Sequence, residues 1–415
     1  MFKTSQIVEV CRICKSSPVE LLNDFGQIAF TGVFFEKGDL VDNAPLALVR
    51  CVNCGLVQLG HSYSSDKLYG ASYGYESHLN NSMVRHLHQK AQALELLYLS
   101  RIDNPIVVDI ASNDGTFLSG FRDSNIKKIG IDPLINVVSN FYPDNSEKIN
   151  SFFSSNVYWE SNKSPATMVT SLSVLYDLED PINFAQQIFE VLSEGGIWHF
   201  EQSYLPLMLQ TNSYDTICHE HVLYLSLHNI IDILSKSGFK LKEASINSVN
   251  GGSISVTAIK TDKQLRTSPY VEFLLEQEIK TGIVDGRAVK SFIVRHSKHT
   301  RDLKVLISKY KSLGFDVVGL GASTKGNTLI QLLGLNSTDI RLIGEINPRK
   351  FGKQTPGSAI PIVPEAEVIS NSNSSTVLIV FPWHFRDGFI DKLQGFLRAG
   401  GKLLFPLPYI EEVQI

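Results

Sequence analysis

Short apolar runs alternate with polar stretches through the middle of the chain, in the order of strands followed by helices. Residues 106–118, IVVDIASNDGTFL, combine an apolar strand, an acidic residue, a turn of small residues and the start of a helix. A second apolar strand, IGIDP at 129–133, ends in an aspartate, and the runs within 166–181 and 193–206 predict a fourth and a fifth strand. The pattern predicts a dinucleotide-type βαβ layout, in which a ligand approaches the backbone of the first turn.

The first turn is poorer in glycine than a phosphate-binding loop. Ala111 and Ser112 stand where glycines are common, which leaves only Gly115. A pyrophosphate needs close approach to several glycines and to a helix N-terminus, whereas S-adenosylmethionine (SAM) needs less. Asp109 would receive the amino group of its methionine moiety and Asp132 its ribose hydroxyls, although any nucleotide-binding Rossmann domain has this spacing. The predicted SAM-binding residues are Asp109, Ala111, Ser112, Asn113, Gly115, Asp132, Pro133 and Ser171.

The last third of the chain begins with a polar, helix-rich stretch at 262–312 and then repeats the strand-turn-helix pattern at 316–334. Further apolar strands in IRLIGEIN, TVLIVFP and KLLFPLP complete a second doubly wound unit. The chain therefore contains a second Rossmann-like α/β domain.

The turn of this second unit has the form Gly319-x-Gly321-x-x-x-x-Gly326, with Lys325 and Asn327 beside its last glycine. Backbone donors and one cation suit a phosphate. The turn is not a Walker loop, because the required spacing and the Ser or Thr after the lysine are absent. A Rossmann-like repeat with a purely structural role fits the same residues.

Length and charge limit the classes of function. A chain of 415 residues predicts two to three domains, and a formal charge of −4 argues against a general nucleic-acid binder. No apolar run approaches the roughly 20 residues that cross a bilayer, and the N-terminus lacks a signal-peptide pattern. We expect a cytoplasmic protein, a monomer or weak homo-oligomer, that acts on a small molecule without a nucleic-acid or membrane partner.

Four of the five cysteines form two CxxC pairs, Cys11 with Cys14 and Cys51 with Cys54. Two such pairs present four thiolates tetrahedrally to zinc, and a closed shell of cysteines leaves no position for substrate. The site should therefore be structural. Two disulfides or four free thiols are the other readings, but a cytosolic setting disfavours disulfides.

The stretch YDTICHEHVLY at 214–224 places Cys218, His219, Glu220 and His221 in a row. These residues could bind a metal, move a proton or cap a turn. Adjacent ligands on one turn do not converge easily on one ion, which disfavours a metal. Cys218 alone is more often a small buried hydrophobe than a nucleophile.

Taken in order, these motifs resemble the three-domain SAM-dependent sugar C-methyltransferases, which act at C-3 of nucleotide-linked 4-keto-6-deoxy sugars. The resemblance rests on the double CxxC pattern, YGYESHLNNSM at 73–83, DIASNDGTFL, FEQSYL, YDTICHEHVLYLS, GASTKGN and PGSAIPI. It implies an α/β fold with a zinc-ribbon domain at 1–72, a class I SAM methyltransferase domain at 73–255 and a Rossmann-like domain at 256–415 that contributes to nucleotide-sugar binding. The implied cofactors are SAM and a structural zinc ion.

The resemblance also implies a chemistry. The C-4 ketone acidifies the C-3 hydrogen, so a base can form an enolate that attacks the methyl group of SAM. His221 corresponds to the base, Glu220 to an acidic companion, and Tyr75 rather than Tyr73 to a hydrogen-bond donor at the sugar. Some members carry a tyrosine at the position of Cys218, which puts any role of that residue in doubt. His219 we interpret as structural.

The predicted catalytic residues are accordingly His221, Glu220 and Tyr75. The predicted substrate-binding residues are Tyr73, Ser77, Glu201, Tyr204, Lys325 and Asn327. Two other functions fit parts of the sequence: an NAD-dependent nucleotide-sugar oxidoreductase that uses either Rossmann-like unit, and a non-catalytic scaffold that keeps the zinc ribbon as an interaction module. Binding of SAM or a nicotinamide signature distinguishes the two enzymes, and activity on a 4-keto sugar excludes the scaffold.

Overall fold

The computed structural model describes residues 5–64, 68 and 75–415. Tyr73, one of the predicted substrate ligands, lies outside the described residues. Within the described ranges, no helix combines the length and the apolar character that crossing a bilayer requires.

The N-terminal region is a small antiparallel β domain. Its strands are β1 Ser5–Ile7, β2 Val19–Ala29, β3 Asn43–Cys51, β4 Val57–Leu59 and β5 His61–Tyr63. The strands β2, β3 and β4 pair in sequence order, and β1 pairs with β5. The fourth strand of the larger sheet is Leu223–Tyr224, which pairs with β4 and comes from far along the chain. The range 1–72 therefore does not contain the whole sheet.

The middle of the chain forms a seven-stranded sheet with helices on both faces. The helices and strands of this region are α1 Asn81–Leu94, β6 Ile106–Ile110, β7 Lys127–Ile131, β8 Glu147–Ile149, α2 Ser155–Ser161, β9 Ala166–Leu172, α3 Pro181–Val191, β10 Leu192–Ser203, α4 Leu205–Gln210, β11 Leu223–Tyr224, α5 Leu227–Lys236, β12 Lys240–Asn247 and β13 Ser253–Ile259. Strand β11 is the short strand that pairs with β4 in the N-terminal sheet. The order is β12-β13-β10-β9-β6-β7-β8, and β13 alone runs antiparallel to its neighbours.

This order, with the last strand inserted antiparallel between the fifth and sixth, is the class I methyltransferase arrangement, so the predicted fold class is confirmed. The predicted fourth and fifth strands are β9 and β10. The boundary expected at residue 255 falls inside β13, which continues to Ile259 because its apolar side chains pack in the sheet.

The helix predicted after the first turn is absent. Only a 3-10 turn, Leu118–Gly120, follows Gly115. The segment from Gly120 to β7 is short and polar, and the Asp123 carboxylate accepts the Asn125 N–H at 2.9 Å, which favours a turn. Helix α1, which precedes β6, lies there instead: a Cβ added to Gly120 would come within 2.8 Å of Ala91 Cβ.

The C-terminal region is a second doubly wound unit. It contains α6 Pro269–Lys280, α7 Arg287–Ser312, β14 Asp316–Leu320, α8 Thr324–Leu332, β15 Ile343–Glu345, β16 Ile362–Pro364, α9 Glu365–Asn371, β17 Thr376–Val380, α10 Arg386–Lys392, α11 Gln394–Arg398, β18 Lys402–Phe405 and β19 Glu411–Val413. The strand order β16-β15-β14-β17-β18-β19 is that of the Rossmann fold, with an antiparallel edge strand. The predicted Rossmann-like domain is thus confirmed.

Apolar side chains of all three regions join in one large core. It includes Leu48 from β3, Trp198 from β10, Leu225 beside β11 and Val318 from β14, each at most 1% exposed. A second cluster, with Ala91 at its centre, fills the space between α1 and the other face of the middle sheet. Because the three regions share a core, their interfaces position side chains as rigidly as any one region does.

Candidate active site

The two CxxC pairs form matching turns whose thiols converge. Backbone N–H groups of Lys15 and Gly55 donate to the carbonyls of Cys11 and Cys51, each at 3.0 Å, and both donors have positive φ, 56° and 75°. The four Sγ atoms lie within 4.8 Å of one another, and no disulfide joins them. Tetrahedral zinc with Zn–S bonds of about 2.3 Å needs sulfurs about 3.8 Å apart. The four cysteines therefore fit a structural zinc ion.

The first turn of the middle sheet is held by an acidic residue at the end of the neighbouring strand. Asp132 accepts hydrogen bonds from the N–H groups of Asn113, at 2.9 Å, and Leu134, at 2.6 Å. Ala111 and Asn113 adopt left-handed backbone angles, with φ of 55° and 50°. Each Asp132 oxygen keeps acceptor capacity, so this carboxylate and the turn fit the ribose of SAM.

Asp109 lies at the end of β6 and is 3% exposed. Its Oδ1 accepts a hydrogen bond from the Thr170 hydroxyl at 2.7 Å, and burial raises its pKa to about 7. An ammonium group beside it would favour the charged carboxylate. The position suits the predicted contact with the amino group of methionine, which stays a prediction.

The space that Gly115 leaves open is filled by the chain itself. A Cβ on Gly115 would come within 2.5 Å of the Tyr142 ring, and the Tyr142 hydroxyl lies 2.5 Å from Ser112 Oγ. Gly115 has φ of 87°, so glycine is required here on both counts. The structure thus explains Gly115 by the packing of Tyr142, a residue that the sequence pattern did not single out.

The segment that begins at Tyr75 lies against this same turn. The Asn113 side chain donates to the Tyr75 carbonyl at 3.1 Å and accepts from the Ser77 N–H at 3.1 Å. The Tyr75 side chain is 47% exposed. The structure therefore brings Tyr75, Ser77, Asn113 and Asp132 together, and burial of the Tyr75 hydroxyl raises its pKa.

Three other predicted site residues are buried and bonded within the protein. The Glu201 carboxylate accepts hydrogen bonds from His86, Asn247 and Ser255 and pairs with Lys90 at 2.9 Å. Ser171 Oγ accepts from Trp198 Nε1 at 2.9 Å, and the Tyr204 hydroxyl donates to Glu278 at 2.6 Å. The structure places these side chains in internal networks rather than beside the Tyr75 segment, and their ligand roles stay predictions.

The stretch 214–221 folds into a turn just before β11, buried through Glu220 and half-buried at His221. His221 Nδ1 lies 2.8 Å from the Thr216 carbonyl oxygen. A carbonyl only accepts, so Nδ1 carries the proton and Nε2 keeps its lone pair. Burial, with a smaller contribution from the charge of Lys325, lowers the His221 pKa to about 4. His221 is therefore a neutral imidazole whose basic nitrogen is Nε2.

Glu220 is held by the N-terminal domain. It is 4% exposed, its Oε2 accepts from the Thr31 hydroxyl at 3.2 Å, and burial raises its pKa. Burial therefore disfavours the charged form of Glu220 relative to a carboxylate in water.

Cys218 and His219 point into packed protein. Both are fully buried. Burial raises the pKa of the Cys218 thiol well above its usual value, which leaves it un-ionised. The His219 ring packs against Phe30 and Tyr63, with ring centres 4.9 Å and 4.8 Å away. This placement agrees with a structural interpretation of His219.

The C-terminal domain completes the surroundings of His221. Helix α8 packs against the turn Tyr214–Thr216, and the Lys325 ammonium donates to the Asn250 carbonyl at 2.6 Å. Asn327 is fully buried, and its amide donates to the Thr31 carbonyl at 2.7 Å. Lys325 thus lies near His221, whereas Asn327 joins the first and third domains, and a direct contact of Asn327 with substrate stays a prediction.

Several polar residues of this region were not predicted. Asp215 accepts a hydrogen bond from Trp383 Nε1 at 2.8 Å, and His384 follows Trp383 directly. Thr31 supports Glu220 from a loop of the N-terminal domain. Asp215 stands in the stretch that the sequence singled out, so its position was a usable signal. The contacts from Thr31, Trp383 and His384 span long sequence separations, and no pattern in the sequence indicated them.

Comparison with known proteins gives matches along the whole chain. A zinc binding domain model matches residues 11–69, a methyltransferase domain model matches 83–244, and a C-methyltransferase C-terminal domain model matches 248–408. The C-methyltransferase NovU of Streptomyces niveus is 27% identical over 406 residues, which cover 97% of this chain and 96% of that protein.

Solved structures of methyltransferases align with a part of the chain. The N-methyltransferase NodS from Bradyrhizobium japonicum is 15% identical, with a TM-score of 0.34 over 44% of this chain and 99% of its own. Magnesium protoporphyrin IX methyltransferase from Synechocystis, solved with bound SAM, is 12% identical, with a TM-score of 0.30 over 43% of this chain and 82% of its own.

Proposed function

We infer from these matches that this chain is a SAM-dependent sugar C-methyltransferase, and we propose that it methylates C-3 of a nucleotide-linked 4-keto-6-deoxy sugar. SAM, when bound, supplies an electrophilic methyl group. The chain's own task is to make C-3 nucleophilic, which requires removal of a proton and stabilisation of the enolate that results. Such a reaction would serve the synthesis of a branched-chain deoxysugar.

The observation that carries the proposal is the state of His221. The Thr216 carbonyl fixes the tautomer with Nε2 unprotonated, and burial keeps the ring neutral at physiological pH. The Tyr176 ring packs edge-on at 4.4 Å and limits rotation of the imidazole. A neutral, oriented imidazole is the form that can accept a proton from carbon.

Glu220 and Tyr75 supply hydrogen bonds in this proposal. Glu220 precedes His221 directly in the chain and burial raises its pKa, and we assign it to a hydrogen bond with the sugar. Tyr75 stands above the turn that we assign to SAM, where its hydroxyl can meet the sugar. Ser77, on the same segment, is a further candidate contact, and Tyr73 would complete the set.

The two doubly wound sheets divide the binding of the two ligands. We assign SAM to the carboxyl ends of β6 and β7, near Asp109 and Asp132. We assign the nucleotide to the C-terminal sheet, whose carboxyl edge between β14 and β17 is the usual ligand position in this strand order. Arg349 from this sheet bonds Glu76 at 3.2 Å, next to Tyr75, so the two edges adjoin.

The test is exchange of the C-3 hydrogen in deuterated water. Wild-type protein is incubated with a panel of nucleotide-linked 4-keto-6-deoxy sugars, with and without SAM, and products are read by mass spectrometry. We expect a gain of one deuterium at C-3 without SAM and a gain of one methyl group with it. The sugar and nucleotide that react define the substrate.

His221→Gln separates the base from the rest of the site. We expect this variant to lose exchange and methyl transfer together while S-adenosylhomocysteine still binds. His88→Gln is the matched control, since His88 lies on α1, bonded to Ser119, and should keep full activity. Unchanged methyl transfer by His221→Gln at saturating substrate would show that another group is the base.

A further inference from the structure

Lys325 occupies an unfavourable position on its helix. Ser323 caps helix α8 by accepting the Gly326 N–H at 3.0 Å, which places Lys325 in the first turn. The N-terminal end of a helix carries partial positive charge, so a cation there is disfavoured. Burial adds to this cost and lowers the Lys325 pKa. Residues that break such rules are expected at functional sites.

Two groups of the middle domain hold this ammonium in place. The Asn250 carbonyl accepts one of its protons at 2.6 Å, and the Asp215 carboxylate attracts its charge. Asn250 has left-handed backbone angles, with φ of 55°, and sits on the loop before β13. Among the described residues the Asn250 bond is the one hydrogen bond that the ammonium makes, which leaves two N–H donors for a ligand.

Polar atoms without side-chain partners surround Lys325. Asp215 is 1% exposed and bonds Trp383 through Oδ2, but its Oδ1 meets no side-chain donor in the described part of the chain. His384 Nδ1 is buried and likewise unpaired there. Burial keeps His384 neutral, with a pKa of about 3. The Asp215 carboxylate also accepts from backbone N–H groups of its own turn, so the unpaired His384 Nδ1 is the atom that indicates a polar ligand, because buried polar groups are normally hydrogen-bonded.

The base lies in the same place. Helix α8 packs on the turn Tyr214–Thr216, and the carbonyl of Thr216 orients His221. The charge of Lys325 acts on both His221 and Cys218. A sugar whose C-3 hydrogen faces His221 Nε2 would therefore place its C-4 oxygen, two bonds from C-3, within the same small region.

We propose that Lys325 donates a hydrogen bond to the C-4 oxygen of the sugar and stabilises the enolate that His221 generates. This inference rests on the function proposed above. It gives Lys325 a catalytic task at the reacting centre, where the sequence indicated contact with a phosphate. Asp215 is then a positioning residue, whose carboxylate favours the ammonium form of the lysine and directs it.

The charges around Lys325 favour an enolate over a pyrophosphate. A pyrophosphate carries at least two negative charges, and proteins bind it with several backbone N–H groups and cations. Asp215 lies beside Lys325 as its acidic neighbour, and the neighbouring His221 and His384 are neutral. This surrounding suits a single negative charge that develops during the reaction, as an oxyanion hole does.

The step balances without a further reactant. The C-3–H bond breaks and its proton moves to His221 Nε2, while its electron pair forms the C-3–C-4 double bond and the carbonyl pair moves onto the oxygen. The Lys325 ammonium holds that oxygen. When the C-3–methyl bond forms and the sulfur–methyl bond breaks, the carbonyl returns, and His221 releases its proton to solvent.

The test compares Lys325→Met with wild type in two measurements. The first is C-3 exchange at saturating substrate, in deuterated water and with S-adenosylhomocysteine present. The second is the Kd of the nucleoside diphosphate of the accepted sugar, by calorimetry. We expect exchange to fall about 10²–10³-fold, the usual effect of losing an oxyanion donor. The Kd should change less than about 3-fold, since that loss is confined to the transition state.

Matched variants separate this role from a structural one. Lys304→Met removes an exposed lysine of α7 and should leave both measurements unchanged. Lys325→Gln can still donate to the Asn250 carbonyl, so it tests the charge if Lys325→Met fails to fold. Ethylammonium should restore exchange to Lys325→Ala, an effect that a merely structural role does not produce.

Two results would overturn the inference. One is a Kd raised about 10-fold or more with unchanged saturated exchange, which would make Lys325 a phosphate ligand. The other is no change in either measurement. If wild-type protein exchanges no 4-keto sugar at all, the proposed function fails first, so the two failures are distinguishable.

Discussion

The strongest prediction concerns the pH dependence of proton abstraction. His221 is neutral because it is buried, and its pKa of about 4 lies well below the usual 6.5. A base with that pKa is more than about 99% unprotonated at both pH 6 and pH 8. An unperturbed imidazole would be only about one quarter neutral at pH 6, and its rate would rise about 4-fold by pH 8. We therefore expect a flat exchange rate across this interval.

The assay is the initial rate of C-3 deuterium exchange at saturating substrate, without SAM, so that methyl transfer cannot limit the rate. Exchange should decline only as pH falls toward 4, where the folded protein protonates His221. Thr216 contributes through its backbone carbonyl, so substitution of its side chain by valine should leave the profile unchanged. A 4-fold rise centred near pH 6.5 would refute the buried, neutral base.

Three further predictions concern stability and binding. Cys51→Ser removes one of four thiolates, so bound zinc should be lost and the midpoint of thermal unfolding should fall. Mass spectrometry of the metal measures the zinc content, and retained zinc would contradict a four-cysteine site. Asp132→Asn removes the carboxylate that accepts the Asn113 N–H. The Kd for S-adenosylhomocysteine, measured by calorimetry, should rise about 10-fold or more. An unchanged Kd would place the ribose elsewhere. His296 is 9% exposed, and its two ring nitrogens are unpaired among the described residues. Burial lowers its pKa to about 4. Its neutral form therefore contributes stability above pH 6.5, and that contribution is lost as pH falls toward 4. Between pH 6.5 and 5 the free energy of unfolding should fall by about 2 kcal/mol because of His296. Urea unfolding of His296→Phe should lack this part of the pH dependence. An unaltered pH dependence would show that the folded protein accepts a proton on His296 at no cost in stability.

Local patterns predicted the parts of the molecule that local chemistry determines. The CxxC spacing places each pair of thiols on one tight turn, and the converging cluster follows. The apolar runs that end at Ile110 and Ile131 became neighbouring parallel strands, so Asp109, near the end of the first, and Asp132, just after the second, lie toward the same edge of the sheet. The roles of His221 and Glu220 come from the family resemblance rather than from a local pattern, and they stay predictions.

Long-range packing determined what the sequence did not reveal. The helix expected after Gly115 is replaced by α1, which comes from the preceding segment. Glu201 resembles a free acid in the sequence, but His86, Lys90 and Asn247 engage it in the fold. Such networks depend on strands and helices separated by many residues, and no periodic pattern along the chain records them.

The short strand Leu223–Tyr224 has a consequence for synthesis of the chain on the ribosome. The N-terminal sheet gains its edge strand only after residue 224 has left the exit tunnel, well after its first three strands. Until then β4 presents unpaired backbone groups, which can pair with another chain. Zinc binding to the early cysteines would order the nascent hairpin during that interval, and assembly of the reaction centre would be the late event that closes the sheet.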